Sequence, residues 1–347
     1  MLHSLIIQRV YLVLAPFQGR KGLIVQGIGQ KIILQLFQVL AVLLLAPLLS
    51  GFITQVEAKI KRAQGPGIFQ PYRDLRKLFH KQIIIPETAS WIFWIAPVVA
   101  FTAMLIVPIL IPVLTNFPLP LSDMGDILGG GLILTLGSFI VLLAGLDAGN
   151  AFGGIGSSRS VMLTILTEPT LILILMGIAS LTHAMLPFLM NHLLAQNIAI
   201  FLSPANIFLI SAFFILLLVE TDRLPIHSST HIEIYMIEEA RILEYSGPLL
   251  ALLKWAGMMK QFILYTIFCN VLFIPWGLSK DENILSTLPS VTTLLLKFML
   301  VAFFVVVVET IQSRLRFYRY QELLTVSFLL AILAIITSQL GFGHVSP

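Results

Sequence analysis

Six carboxylates fall within 25 residues of this chain: Glu220, Asp222, Glu233, Glu238, Glu239 and Glu244. They are 6 of only 17 acids in 347 residues, so the clustering is a feature in its own right. Arg223, Arg241, His227 and His231 share the stretch. Crowded carboxylates repel one another as anions, which raises the proton affinity of some toward neutral pH. The chemistry this supports is proton uptake and release. Arg241 lies three residues from both Glu238 and Glu244, within helical reach of either. It cannot neutralise all of its neighbours. Thr230 followed by Glu233 has the form of a capping box, a structural reading that competes with the proton reading. His227 and His231 have an i,i+4 spacing that permits a metal, but a third ligand is not evident.

A second set of candidates lies upstream. Asp147 precedes Gly149, Gly153, Gly154 and Gly156, a run that reads as flexible, closely approached backbone, and Ser158-Arg159 follows. The run lacks the Lys-Ser/Thr ending of a phosphate loop, which argues against nucleotide binding. Glu168-Pro169 comes nine residues after Arg159, inside an apolar stretch. A charge at the centre of a membrane helix costs roughly 2.5–3.5 kcal/mol, so Glu168 must face protein or water. Either it bonds backbone released by Pro169, or it carries a proton, with Asp147 and the acids of 220–244 converging on it. Lys260 and Glu309 read as lying near helix ends, where their heads can snorkel. Lys297 reads as two turns inside the opposite leaflet, which points to a water path, an ion pair or outward snorkelling.

The elements that position these groups are membrane helices. The chain is 58% hydrophobic and only 11% charged, too little charge to cover a soluble protein of this length. A spanning helix needs about 20 apolar residues. Such stretches occur near 32–53, 91–114, 128–147, 161–187, 201–219, 256–276, 290–309 and 322–341. The expected fold is therefore all-α and polytopic with about eight transmembrane helices. No internal repeat is evident, so residues 32–347 read as one membrane domain. A single cysteine, Cys269, excludes an intrachain disulfide and a cysteine-held iron–sulfur cluster, which needs about four thiolates. Net charge is +4, with the positives beside helices, which gives no sign of a nucleic-acid partner.

Lys and Arg set the expected orientation. Loop 1–2 carries Lys59, Lys61, Arg62, Arg73, Arg76, Lys77 and Lys81. Arg159 lies in loop 3–4, Arg223, Arg241 and Lys254 in loop 5–6, and Arg314, Arg316 and Arg319 in loop 7–8. The alternate loops are nearly bare, with Lys280 the exception. Four basic loops therefore face the cytoplasm and both termini lie outside, in an inner (cytoplasmic) membrane. Residues 1–31 conflict with this, because Arg9, Arg20, Lys21 and Lys31 would then lie outside. The segment 5–15 is too short to span, and reads as a surface-lying segment or an extension from an upstream start.

Loop 1–2 also carries Gly65-Pro66-Gly67, read as a fixed turn whose glycines are free to take positive φ. A basic amphipathic helix is expected over 72–81, with Leu75, Leu78 and Phe79 on one face and Arg73, Arg76 and Lys77 on the other. The plain reading is a topology-setting helix on anionic headgroups. The sharper one is a dock for a soluble arm, contacted by Arg62, Gln70 and Arg73.

These motifs together resemble subunit 1 of respiratory NADH:quinone oxidoreductase. The resemblance is closer to its counterpart in membrane-bound nickel–iron hydrogenases, formate hydrogenlyase subunit 4 and hydrogenase-4 component C. It covers roughly residues 32–341. It rests on Gly65-Pro66-Gly67 with Gln70-Pro71, on Ser158-Arg159 before Glu168-Pro169, and on Glu220-Thr221-Asp222-Arg223-Leu224-Pro225. The strongest part runs from Thr230-His231-Ile232-Glu233 through Glu238-Glu239-Ala240 to Leu243-Glu244-Tyr245-Ser246-Gly247-Pro248. One departure is Ile226-His227-Ser228-Ser229, where hydrogenase relatives usually have acids; the electron acceptor stays open.

The resemblance implies a non-catalytic membrane anchor beneath a soluble redox arm, with no cofactor in this chain. Nickel–iron and iron–sulfur centres would lie in partner chains: a hydrogenase-like large subunit, an iron–sulfur small subunit and antiporter-like membrane subunits. Quinone is a further expected ligand if the chain forms a quinone chamber. By motif position Glu168, Glu220, Glu233, Glu238 and Glu244 fall near the implied proton path, with Arg159, Arg223 and Arg241 as charge partners and Asp147 as a further candidate. The expected function is coupling of electron transfer to proton or sodium translocation. The alternatives are the quinone-chamber role, a stand-alone proton-coupled transporter and a purely structural anchor.

Overall fold

The computed structural model describes residues 24–60, 62, 64–122, 125–221, 240–280, 284–311 and 319–340. Asp222, Arg223, His227, His231, Glu233, Glu238 and Glu239 lie outside these residues, as do residues 1–23; the side chain of Glu309 is likewise outside the described set. Helix α1 spans Ile24–Ile60 and α2 is a short helix, Gln70–Phe79. Then follow α3 (Trp91–Leu110), α4 (Ile127–Asp147) and α5 (Ala151–Thr182). Short helices α6 (Pro187–Gln196) and α7 (Ile198–Phe201) lead into α8, Pro204–Glu220. Helix α9 (Gly247–Ile267) runs on into a π-helix, Phe268–Phe273. Helices α10 (Ile284–Ile311) and α11 (Arg319–Gln339) complete the series. Among the described residues no strand forms beyond an isolated bridge between Thr115 and Ser279.

Seven of these helices are long and apolar enough to cross a membrane, and α8 is a shorter apolar helix of 17 residues. A helix occupies most of each of the eight expected stretches, although those expected at 91–114, 161–187 and 256–276 stop short at Leu110, Thr182 and Phe273, and the protein is a multi-pass membrane protein. Helices α1 and α5 exceed expectation, at 37 and 32 residues. At about 1.5 Å per residue both outreach a hydrocarbon core of about 30 Å, so they tilt or project from it.

Of the glycine-rich run at 149–156, Gly149 makes a turn at φ +65 and Ala151 onward forms the first turns of α5. Asn150 caps it, its Oδ1 accepting from Phe152 N at 2.9 Å. The glycines here serve close packing. A Cβ on Gly153 would sit 2.6 Å from the carbonyl oxygen of Gly145 on α4. Helix α9 also begins earlier than the expected 256: Ser246 precedes it and Pro248 occupies its first turn, where its missing N–H costs nothing. Gly65 and Gly67 do not take the expected positive φ. Gly65 is a packing position, with a Cβ there falling 2.3 Å from that of Ala58.

Helix α9 is the axis of the bundle. Its most apolar window, carried on through the π-helix, is 72% buried, against 22% for α11. It packs on α1, α2 and α3, while α5 packs on α4, α8 and α11. Two prolines in the outer ring remove backbone donors, and side chains from in or next to α9 replace them. Pro47 leaves the carbonyl of Leu43 without its helical donor, and Trp255 Nε1 donates to it at 3.1 Å. Pro97 does the same to Phe93, and Tyr245 Oη donates there at 3.0 Å. In lipid such replacement is a requirement, because no bulk water satisfies the carbonyl.

The other end of the bundle repeats the theme with amides. Gln38 Nε2 donates to the carbonyls of Pro108 and Ile111, and Asn270 Nδ2 to those of Pro112 and Val113, where the chain leaves α3. Lys297 is 6% exposed and donates to Asn270 Oδ1 at 2.9 Å, so it is bonded inside the protein and does not snorkel.

Candidate functional site

The middles of α4 and α5, the C-terminal end of α8 and the body of α9 surround a cavity of about 140 Å³. That is room for several waters. Its polar wall is Ser138 from α4, Thr164, Thr167 and Glu168 from α5, Glu220 from α8, and Lys260 from α9. Arg241 also borders it, from the segment that precedes α9. The remaining wall is apolar, with Ala100 and Met104 of α3 and Leu171 among its residues.

Lys260 does not reach for a headgroup. Its Nζ lies 2.6 Å from Glu220 Oε2 and donates to Ser138 Oγ at 2.9 Å. The early start of α9 explains the difference from expectation: it moves Lys260 from near a helix end to the middle of a span. The Lys260 and Glu220 side chains are 24% and 14% exposed, so the pair is largely withdrawn from solvent. Glu168 is half-buried, and its Oε1 is buried with no hydrogen-bond partner among the described residues. It therefore does not serve, through that oxygen, the backbone released by Pro169. A membrane carboxyl with an unsatisfied oxygen on a polar cavity is the arrangement expected of a proton carrier and is costly for a merely structural group.

The other candidates are placed differently. Asp147 does not border the cavity; its Oδ2 accepts from Ser90 N at 2.9 Å and Phe93 N at 3.2 Å, holding the start of α3. Glu244 accepts a hydrogen bond from Asn150 Nδ2, tying the segment before α9 to the start of α5. Arg159 is exposed on α5, nine residues or about 13 Å along the helix from Glu168. Arg62 and Arg73 are exposed, and Gln70 donates to Asp74 Oδ1 at 2.9 Å within α2. Helix α2 itself matches expectation, with Leu75 buried and Arg73, Arg76 and Lys77 exposed. Phe79 meets Trp255 edge-on at 6.2 Å, which seats α2 on α9.

The run Glu244-Tyr245-Ser246-Gly247 acts as a clasp that holds this end of the bundle together. Tyr245 stacks on Phe93 with ring centres 3.9 Å apart. Ser246 Oγ accepts from Ile84 N at 2.8 Å and donates to Ile84 O at 3.2 Å. Gly247 takes φ +59, and a Cβ there would lie 2.7 and 2.8 Å from the carbonyl oxygens of Gln82 and Lys81. Only glycine fits both the backbone and the space. Burial pushes the Tyr245 phenol above its ordinary range, and the nearby Asp147 carboxylate adds to this. Residue types alone did not reveal the clasp. The Ser-Gly-Pro sequence at 246–248 was its one signal, as a helix start. Among the described residues no three His, Cys, Asp or Glu side chains gather to hold a metal ion.

The sequence profile of the family described as NADH dehydrogenase matches residues 32–339, nearly the whole bundle. The chain belongs to the NADH dehydrogenase subunit 1 family. Hydrogenase-4 component C of Escherichia coli (strain K12) is 31% identical over 306 residues, which cover 88% of this chain and 95% of the relative. Formate hydrogenlyase subunit 4 of the same organism is 28% identical over 291 residues, 82% of this chain and 92% of the relative. A chain in the structure of the membrane-bound sulfane sulfur reductase (MBS), an archaeal respiratory membrane complex, shares the fold: the TM-score is 0.73 at 19% identity, over 89% of this chain and 99% of that one. The family match ends at 339, where α11 ends, and includes every helix that borders the cavity.

Proposed function

We propose that this chain is the membrane anchor and coupling subunit of a multisubunit redox complex, and that protons cross part of the membrane through its cavity. The observation that carries the reading is Glu168, with an unpartnered buried oxygen, on the same cavity as the Glu220–Lys260 pair. Membership of the subunit 1 family supports it.

In this reading the acids between Glu220 and Glu244 receive the charge change produced by electron transfer in a soluble arm. Glu220 stands at the junction of that stretch with α8. Glu168 takes the proton deeper and passes it toward neighbouring membrane subunits. The clasp at Glu244–Gly247 holds the start of α9 to α3 and to the start of α5 while this happens. The exposed arginines of loop 1–2 and of α2 face the soluble arm, on the cytoplasmic side of an inner membrane, with both termini opposite. Residues 32–347 act as one domain. Nickel–iron and iron–sulfur centres belong to a hydrogenase-like large subunit and an iron–sulfur small subunit, and antiporter-like subunits lie alongside. The chain's single cysteine, buried Cys269, supports placing clusters in those partners.

Gentle detergent purification of the tagged chain, with mass spectrometry of what travels with it, tests this directly. The reading expects a hydrogenase-like large subunit, an iron–sulfur subunit and antiporter-like chains. Recovery of the chain alone, repeated in lipid nanoparticles, contradicts it and favours a stand-alone transporter.

A further inference from the structure

Lys260 has no part in the proton reading so far, yet it is the group that touches Glu220. Its ammonium lies between a carboxylate at 2.6 Å and a hydroxyl at 2.9 Å, in the middle of the most buried span. The charged groups facing it can be counted element by element among the described residues. Helix α5 presents Glu168, α8 presents Glu220, and the segment before α9 presents Arg241. Helices α3 and α4 bring no charge to the cavity, only Thr135 and Ser138 as polar groups. Two acids thus share the space with two fixed cations. Glu220 holds Lys260, whereas one oxygen of Glu168 has no hydrogen-bond partner among the described residues.

We propose that Lys260 is a tethered cation that alternates between Glu220 and Glu168, so that the cavity passes charge as protons and admits no alkali cation. This rests on the coupling-subunit reading above. In the resting state of this cycle, Glu220 is the anion paired with Lys260, as their 2.6 Å contact suits, and Glu168 carries the proton. A proton arriving from the acid-rich stretch forms an O–H bond on Glu220 and cancels its charge. The ammonium, keeping its three N–H bonds, loses its partner and turns within the cavity to the Glu168 carboxyl. The O–H bond of Glu168 breaks and its proton moves on. One proton enters, one leaves, and the cavity's net charge is unchanged. A buried ammonium is strongly stabilised by a nearby anion, which links the two steps in order. The same ammonium excludes sodium, because it already occupies the carboxylate and hydroxyl oxygens that a hard cation would require and repels a second positive charge.

The test uses the whole complex in liposomes, with protons translocated per electron measured against pH, with and without sodium. Lys260→Met is expected to lower that ratio about tenfold or more, since it strips one member from a buried pair. Lys260→Arg keeps the charge and is expected to hold the ratio within about threefold while shifting the pH profile. The wild-type ratio is expected to be the same without sodium. Should Lys260→Met disturb assembly, the double variant Lys260→Gln, Glu220→Gln removes both charges together; it is expected to assemble and still not pump. Wild-type pumping and pH profile in Lys260→Met or in the double variant overturn the tethered-cation proposal, as does a requirement for sodium. Glu168→Gln, run alongside, separates the two readings: if it also pumps normally, the coupling-subunit reading fails as well, and if it alone is inactive, only the role of Lys260 falls.

Discussion

Replacing Glu220 by Gln removes the charge that Lys260 faces at 2.6 Å while keeping the size of the side chain. Stripping one member from a fully buried ion pair costs about 3–5 kcal/mol. Two features of this site lower that figure. Lys260 keeps Ser138 Oγ as an acceptor, and its side chain is 24% exposed toward a polar cavity. About 2–3 kcal/mol of lost stability is therefore expected for Glu220→Gln. Lys260→Met should cost a similar amount, because it removes the cation that lies 2.6 Å from Glu220. The double variant Lys260→Met, Glu220→Gln should cost no more than either single change, since neither member of the pair then remains. The cycle thus predicts a coupling energy of about 2 kcal/mol, within the range seen for residues in direct contact. Equilibrium unfolding of the four purified proteins in graded anionic detergent measures it. Single changes costing under about 1 kcal/mol that simply add would show a pair behaving like a solvated surface bridge, and would refute the reasoning.

Other outcomes follow from the clasp. Tyr245→Phe keeps the stacked ring but leaves the carbonyl of Phe93, already deprived by Pro97, without a donor; a loss of about 1–2 kcal/mol is expected in the same unfolding assay. Gly247→Ala forces an alanine into a left-handed conformation and against two carbonyl oxygens, with an expected cost of about 2–3 kcal/mol and faster proteolysis between residues 81 and 84. The raised Tyr245 phenol also gives a pH dependence. The folded state keeps a proton that the unfolded state releases above its ordinary value of about 10, so stability falls as pH rises past that value. Unfolding midpoints against pH check this, and Tyr245→Phe should flatten the alkaline limb.

The helices were legible because hydropathy is a property of long windows, and a helix occupies most of each of the eight expected stretches. Their ends were not, and the errors there have physical causes. Gly149–Gly156 looks like a loop by composition, but its glycines let α5 start flush against Gly145. Helix α9 carries Lys254 and Lys260, which lower its hydropathy and hid its first turns; once it starts at Gly247, Lys260 falls mid-span and meets Glu220. Glu168 was legible as a charge in an apolar run. Its cavity was not, because it is built from six separate segments. Residue type alone makes Asp147 a proton candidate, whereas its place as the last residue of α4, beside the start of α3, makes it a backbone cap for α3. Tyr245, Ser246 and Gly247 stand out in the sequence only as a motif, because their partners lie 152 and 162 residues away.

The central claim is that Glu168 carries the translocated proton. The most direct measurement is proton uptake per electron by the reconstituted complex bearing Glu168→Gln, which keeps the side chain's shape and cannot give up a proton at this position. The account predicts a complex that assembles with its redox partners and translocates no protons. Pumping at the wild-type ratio by that same assembled complex would contradict it.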